Sequence, residues 1–182
     1  MQPSIFPKSY ADFVARLRVP SGFLLVAAFA CFAHPSARSL AFGLPLSTAG
    51  LMLRAWAAGH LAKNLQLTTG GPYAYVRNPL YLGTLVVAEG LAIACRSLGL
   101  AILFAFVFLF IYLPVIMLEE QHLSELFPEF ERYTRTVPTL IPSGKRSATS
   151  SRFSWALYRK NQEYQALLGF MAGLAWLIWR WL

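Results

Sequence analysis

The chain has 182 residues, 57% of them hydrophobic and 13% charged, and 16 Lys and Arg against 8 Asp and Glu give a formal charge of +8. A soluble domain carries about a quarter charged residues, so a water-soluble globule is a poor fit. The length suits one domain over residues 1–182, and the basic residues flank apolar runs, which argues for an anionic membrane surface rather than nucleic acid as their partner.

Five apolar segments follow in chain order: Val19–Ala33, Leu40–Ala58, Leu80–Cys95, Ser97–Leu118 and Tyr164–Leu182. A membrane span needs about 20 apolar residues. The fourth segment meets this without a single charge, and the fifth is interrupted only by Arg180. The first and third are short. The expected fold is an all-α, polytopic membrane bundle of about five transmembrane helices. Tight connections at "HPSARS" (34–39) and "CRSLG" (95–99) predict helical hairpins for the first and second spans and for the third and fourth. The first span is read as retained rather than cleaved, because its leader is long, contains Asp12, and is followed almost at once by the next span. Cys31 and Cys95 lie in apolar segments and read as small buried hydrophobes. The histidines, His34, His60 and His122, are scattered, and no metal site is indicated.

Basic residues set the orientation. With the N-terminus inside, Lys8, Arg16, Arg18, Arg54, Lys63, Arg77, Arg132, Arg135, Lys145, Arg146, Arg152, Arg159 and Lys160 fall on the inner side, thirteen against Arg38, Arg96 and Arg180 outside. The termini are then on opposite sides. Within the third span Glu89 is expected to pair with a polar group on a neighbouring helix, and His60 and Lys63 to snorkel to the surface. After the fourth span, Leu118, Leu123, Leu126, Phe127, Phe130 and Tyr133 recur at helical spacing, broken by Pro128. That predicts an amphipathic helical pair against the bundle. Ser143–Arg152 has the composition of a basic loop, and Phe153–Tyr164 that of an interfacial helix.

Two polar stretches share the predicted inner face. "GGPYAYVRNPLYLG" (70–83) interrupts the apolar chain with glycines, prolines, tyrosines and one arginine. Gly70 and Gly71 let backbone approach a ligand, Tyr73, Tyr75 and Tyr81 offer flat faces that attract cations, and Arg77 offers a planar fork for carboxylate or phosphate. Interfacial tyrosines and arginines are common in membrane proteins, so these residues alone decide nothing. Glu119 and Glu120 add weight. At the end of the fourth span, adjacent carboxylates oppose the helix dipole and call for a bound cation, a ribose or a basic partner to offset the cost.

The stretch resembles the signature of integral-membrane S-adenosylmethionine-dependent methyltransferases, which include isoprenylcysteine carboxyl methyltransferases and phospholipid N-methyltransferases. Gly71, Tyr73, Arg77, Pro79, Tyr81 and Gly83 match in register, and a second block matches at Glu119, Glu120, Leu123, Tyr133, Val137, Pro138 and Pro142. The resemblance covers about residues 50–142, a catalytic-type region, leaving 143–182 as an interfacial segment and last span. It implies a cytosol-facing pocket for S-adenosylmethionine formed by Leu65, Gln66, Leu67, Thr68, Tyr73, Asn78, Pro79, Leu80, Tyr81 and Glu119. Arg77 and Glu120 are the expected catalytic residues, Arg77 for a lipid phosphate and Glu120 as base toward an amine. Two departures qualify it. Asn78 stands where the family has a histidine, so that position cannot titrate. Val115 stands where prenylcysteine enzymes carry an arginine for the substrate carboxylate, which disfavours that substrate. The expected function is methyl transfer to a membrane lipid or small amphiphile. The alternatives are a nicotinamide-dependent reductase of the sterol-reductase type, or a non-catalytic membrane protein with a degenerate pocket.

Overall fold

The computed structural model describes residues 7–142 and 151–182, and those residues fold as helices joined by turns. In order they are α1 (Lys8–Phe32), α2 (Ala37–Ala58), α3 (Pro79–Cys95), α4 (Leu98–Val107), α5 (Leu113–Leu126), α6 (Phe130–Thr136), α7 (Trp155–Lys160) and α8 (Tyr164–Trp181). Among the described residues three helices are long and apolar enough to cross a membrane: Asp12–Phe32, Ala37–Ala58 and Leu98–Leu126. Helix α3 is apolar but has 17 residues, about 25 Å at the usual rise, and α8 has 18 and is not among the three. The loop read into Ser143–Arg152 lies outside the described residues except for Ser151 and Arg152.

The closest packing joins α2 to α3, antiparallel, through a seam of small residues. A Cβ on Gly43 would strike the Gly90 carbonyl oxygen, and one on Gly50 would sit 2.7 Å from that of Gly83. Between them Ser47 Oγ donates to the Val87 carbonyl at 3.1 Å, and Ser39 Oγ donates to the Ala94 carbonyl at 2.8 Å. In lipid, where apolar surface gains nothing by leaving lipid for protein, such backbone proximity and interhelical hydrogen bonds do the associating. Ser36 and Ser39 also close a capping box at the start of α2.

This seam overturns the first predicted hairpin. Helix α1 follows a short turn into α2 but packs on α4 and α5 instead. The small faces of α2 and α3 fit each other, whereas α1 carries polar links to the fourth span: Tyr10 Oη donates to the Phe110 carbonyl in the 108–112 turn and Arg18 reaches Glu119 in α5. The fourth span also differs from expectation. Residues 98–126 form one continuous helical run that passes through a π turn at Phe108–Tyr112. Glu119 and Glu120 therefore sit inside a helix that ends at Leu126, and the dipole reasoning applied to them at a helix end does not hold. Their offset comes from side-chain partners.

At the end of the bundle near Ala33 and Cys95, an apolar cluster gathers Ala33, Leu40, Ala94, Cys95, Leu100 and Leu177. The His34 amide donates to the Cys95 carbonyl at 2.9 Å there. Cys95 is buried as expected, but Cys31 is exposed. Near the opposite end Phe130, Tyr133 and Val137 pack with Leu67, Leu123 and Phe127, which is the amphipathic pair foreseen around Pro128. Asn161 Nδ2, just after α7, donates to the carbonyls of Ala58 and Leu61, both at 2.9 Å, and so satisfies acceptors left over at the end of α2. Glu89 is exposed and makes no hydrogen bond or ion pair among the described residues, so the expected partner on a neighbouring helix is not there.

Candidate functional site

The 70–78 loop is built by packing against its own chain. Gly71 has φ +60°, which favours glycine, and a Cβ there would strike the His60 ring at 2.6 Å. His60 is 6% exposed and lies among Trp56, Gly71 and Phe153, with Nδ1 2.8 Å from the Trp56 carbonyl. It does not snorkel as expected, because these rings enclose it. A Cβ on Gly70 would meet Ser151. The close approaches that the two glycines permit are thus to His60 and Ser151.

The loop then runs beside residues 138–139. The Arg77 amide donates to the Pro138 carbonyl at 2.8 Å and the Asn78 amide to that of Thr139 at 3.1 Å. Arg77 forms a bidentate pair with Glu120, Nε to Oε1 and Nη2 to Oε2, both at 3.0 Å. Its Nη1 donates to the Thr134 carbonyl at 3.2 Å, and Nη2 also meets Thr139 Oγ1. Asn78 precedes α3, where an asparagine side chain ordinarily caps the helix. Here Nδ2 turns to Glu120 Oε1 at 2.7 Å and no cap bond forms. Both oxygens of Glu120 are therefore committed. The two residues expected to be catalytic hold each other, and their geometry is that of a clasp between the loop, α5 and the 134–139 segment.

The second arrangement centres on Tyr81, which is 7% exposed. Its Oη donates to Glu119 Oε1 at 2.9 Å. The Tyr112 ring, from the π turn, meets the Tyr81 ring edge-on at 6.1 Å and 76°. Across the face of Tyr81 lies the Arg18 guanidinium, 5.5 Å from the ring centroid, with Nη1 3.5 Å from Glu119 Oε1. An aromatic face and a carboxylate thus converge on one positive charge. Sequence reasoning named Tyr81 and Glu119 but gave Arg18 no part, and only its basic character marked it.

A third pair was missed entirely. Arg54 and Glu163 lie 109 positions apart and pair bidentately, Nε to Oε1 at 2.7 Å and Nη2 to Oε2 at 2.9 Å, while Arg54 Nη1 reaches the Leu80 carbonyl and Thr84 Oγ1. Glu163 is 7% exposed and immediately precedes α8, so this pair ties the last helix to α2 and, through Arg54 Nη1, to the start of α3. A lone arginine late in an apolar segment was the available signal.

Tyr73 is buried between these centres. Burial pushes its phenol well above the usual value; Tyr133, Glu119 and Glu163 add to the rise, and Arg54 opposes it. Burial likewise raises Tyr133, which Arg77 opposes and Glu120 reinforces. Both phenols stay neutral near pH 7, and Tyr133 Oη donates to the Tyr73 carbonyl at 2.6 Å. Of the other expected pocket residues, Pro79 is fully buried at the start of α3 and the Leu80 carbonyl accepts from Thr84 and Arg54. Thr68 Oγ1 accepts from the Ala62 amide, Leu67 packs on the Phe130 cluster, and Leu65 and Gln66 are exposed. No hydrogen bond joins the Leu65 or Gln66 side chains to Tyr81 or Glu119 among the described residues.

A family model described as phospholipid methyltransferase matches residues 39–129. The chain is 37% identical over 102 residues to a cobalt-zinc-cadmium resistance protein of Cupriavidus metallidurans, a match covering 55% of this chain and 46% of that protein. It is 34% identical over 140 residues to a nickel-cobalt-cadmium resistance protein of Alcaligenes xylosoxydans xylosoxydans, covering 75% of this chain and 59% of that protein. A third relative, a protein-S-isoprenylcysteine O-methyltransferase of Schizosaccharomyces pombe, is 30% identical over 141 residues, 74% of this chain and 59% of its own length. The chain thus spans about half to three-fifths of these relatives. No solved structure matches it.

Proposed function

The chain belongs to the phospholipid methyltransferase family, and from that premise we propose that it transfers a methyl group from S-adenosylmethionine to a lipid or small amphiphile at the cytoplasmic membrane face. The observation that carries this reading is the convergence of the Tyr81 face and the Glu119 carboxylate on a single cation. That donor set suits a sulfonium or an amino group. When bound, the cofactor supplies a methyl group on positively charged sulfur.

The residues of the chain do the rest. Tyr81 and Glu119 hold positive charge, and the buried neutral Tyr73 stands near them. The Arg77–Glu120 clasp fixes the loop that leads into Tyr81, so the reacting groups keep one alignment, which displacement chemistry needs. An amine acceptor must lose a proton. Glu119 Oε2 has no hydrogen bond among the described residues, whereas both oxygens of Glu120 are engaged, so Glu119 is better suited to take it. The pocket otherwise draws on Leu65–Thr68 and Asn78–Leu80 as the resemblance implies. We read the whole chain as one domain with about five spans, counting α3 and α8 with the three long helices.

Calorimetric titration is expected to give heat with S-adenosylmethionine and none with NADPH; the reverse would favour a reductase. The N-terminus is expected inside and the C-terminus outside, from the thirteen-to-three distribution of basic residues. Reporters fused to each terminus check this, and an external N-terminus would move the site to the wrong side of the membrane for a cytosolic cofactor.

The acceptor follows from Val115. It is 5% exposed and packed beside the fully buried Ile116, so no charge is available there for a substrate carboxylate. Burying a carboxylate without a partner costs several kcal/mol, on the order of 3 or more. Labelled methyl groups should therefore enter a membrane-lipid extract and not a farnesylcysteine analogue. Efficient labelling of the analogue alone would mean that another residue binds the carboxylate.

A further inference from the structure

Three arginine–glutamate pairs surround the site, and they are not equally tight. Arg77–Glu120 and Arg54–Glu163 are bidentate at 2.7–3.0 Å, and their arginine side chains are 11% and 23% exposed. Arg18–Glu119 is a single 3.5 Å contact with side chains 46% and 44% exposed. A charge-assisted hydrogen bond is normally about 2.7–2.9 Å, so Arg18 is held by proximity and by the Tyr81 face rather than by a formed bond.

The oxygen that Arg18 approaches, Glu119 Oε1, is the one that accepts from Tyr81 Oη. One aromatic face and one carboxylate oxygen can serve one cation. A second positive charge within about 5 Å would be repelled. We propose that Arg18 is a tethered occupant of the cation subsite, and that it must leave when the positively charged part of the cofactor binds, so that the Arg18 side chain gates the site. The proposal rests on the cofactor assignment made above.

Local structure suits such a movement. Pro20 lies inside α1 and lacks the N–H that would bond the Arg16 carbonyl, which loosens the helix beside Arg18. The same helix is pinned elsewhere by the Tyr10 hydrogen bond to the Phe110 carbonyl at 2.9 Å. The Arg18 side chain can therefore swing without α1 undocking from α4 and α5.

The test is calorimetric titration of the full chain in lipid nanodiscs with S-adenosylmethionine and with S-adenosylhomocysteine, whose sulfur is uncharged. Arg18→Ala and Arg18→Gln are expected to bind S-adenosylmethionine roughly threefold to tenfold more tightly than the wild type, the scale of an exposed ion pair plus a cation–π contact. The gain should be smaller for S-adenosylhomocysteine. Arg18→Lys keeps the cation and should return affinity toward the wild-type value, which a purely structural role would not require. Equal or weaker binding by Arg18→Ala and Arg18→Gln, with the wild type binding normally, would overturn the gate and leave the cofactor assignment standing. A wild-type chain that binds neither ligand would remove the cofactor assignment and the gate with it.

Discussion

Glu119→Gln should lower affinity for S-adenosylmethionine about tenfold to a hundredfold, the range of a hydrogen bond to a charged group. Tyr81→Ala should lower it about tenfold through loss of the ring face. Tyr81→Phe, which keeps the face and loses only the bond to Glu119, should fall between Tyr81→Ala and the wild type. Folding should survive Glu119→Gln, because the Glu119 side chain is 44% exposed and its contact with Arg18 is loose. The gate adds a signature: with the carboxylate gone, Arg18 has no anion to hold it. Adding Arg18→Ala to Glu119→Gln should then bring little of the gain seen in the wild-type background. Titration calorimetry measures the affinities and thermal unfolding in nanodiscs checks the fold. Unchanged affinity in both Glu119→Gln and Tyr81→Ala, with intact folding, would exclude this pocket.

Much of the architecture was legible because apolar length and Pro/Gly punctuation are local signals. The starts of α2, α3 and α8 lie within a few residues of where the apolar runs begin, and Pro128 does separate α5 from α6. The hairpin expected for α3 and α4 does pack together, but the partners of α1 and α2 were not legible. Turn length suggested that α1 would lie along α2, but the partner of α2 is decided by Gly43, Ser47 and Gly50 meeting Gly83, Val87 and Gly90. Small residues in an apolar run carry no obvious direction until both helices are seen together. The motif residues do gather, yet their division of labour was hidden. Nothing in the pair "EE" says that one carboxylate faces Arg77 and Asn78 while its neighbour faces Tyr81 and Arg18. Consecutive helix positions point about 100° apart, and that turn splits the two roles. Arg54 and Glu163 were out of reach for a plainer reason: the chain between them holds most of the protein.

Arg77→Ala is expected to be among the most damaging single changes in the chain. It would leave Glu120, whose side chain is 20% exposed, without its charged partner, and would cut the side-chain links from the loop to Thr134 and Thr139. Removing one member of a largely buried pair costs about 3–5 kcal/mol. Asn78 Nδ2 still donates to Glu120 and should keep the loss toward the lower end. Glu120→Gln should cost less than Arg77→Ala, because a glutamine oxygen can still accept from Asn78 and Arg77. A double variant, Arg77→Met with Glu120→Leu, should recover only part of the loss: no unpaired charge is left buried, but Asn78 Nδ2, the Thr134 carbonyl and Thr139 Oγ1 each lose a partner. Unfolding in mild detergent gives the three stabilities. Methyl transfer separates the two roles that this pair could have. As a clasp, Arg77 acts through the position of the 70–78 loop, so activity and stability should fall together and the double variant should recover both in part. As a group that touches the acceptor, Arg77 would be needed for turnover whatever the stability. An Arg77→Ala protein that keeps wild-type stability and cofactor affinity, yet transfers no methyl group, would return Arg77 to the catalytic role first suggested by its place in the motif.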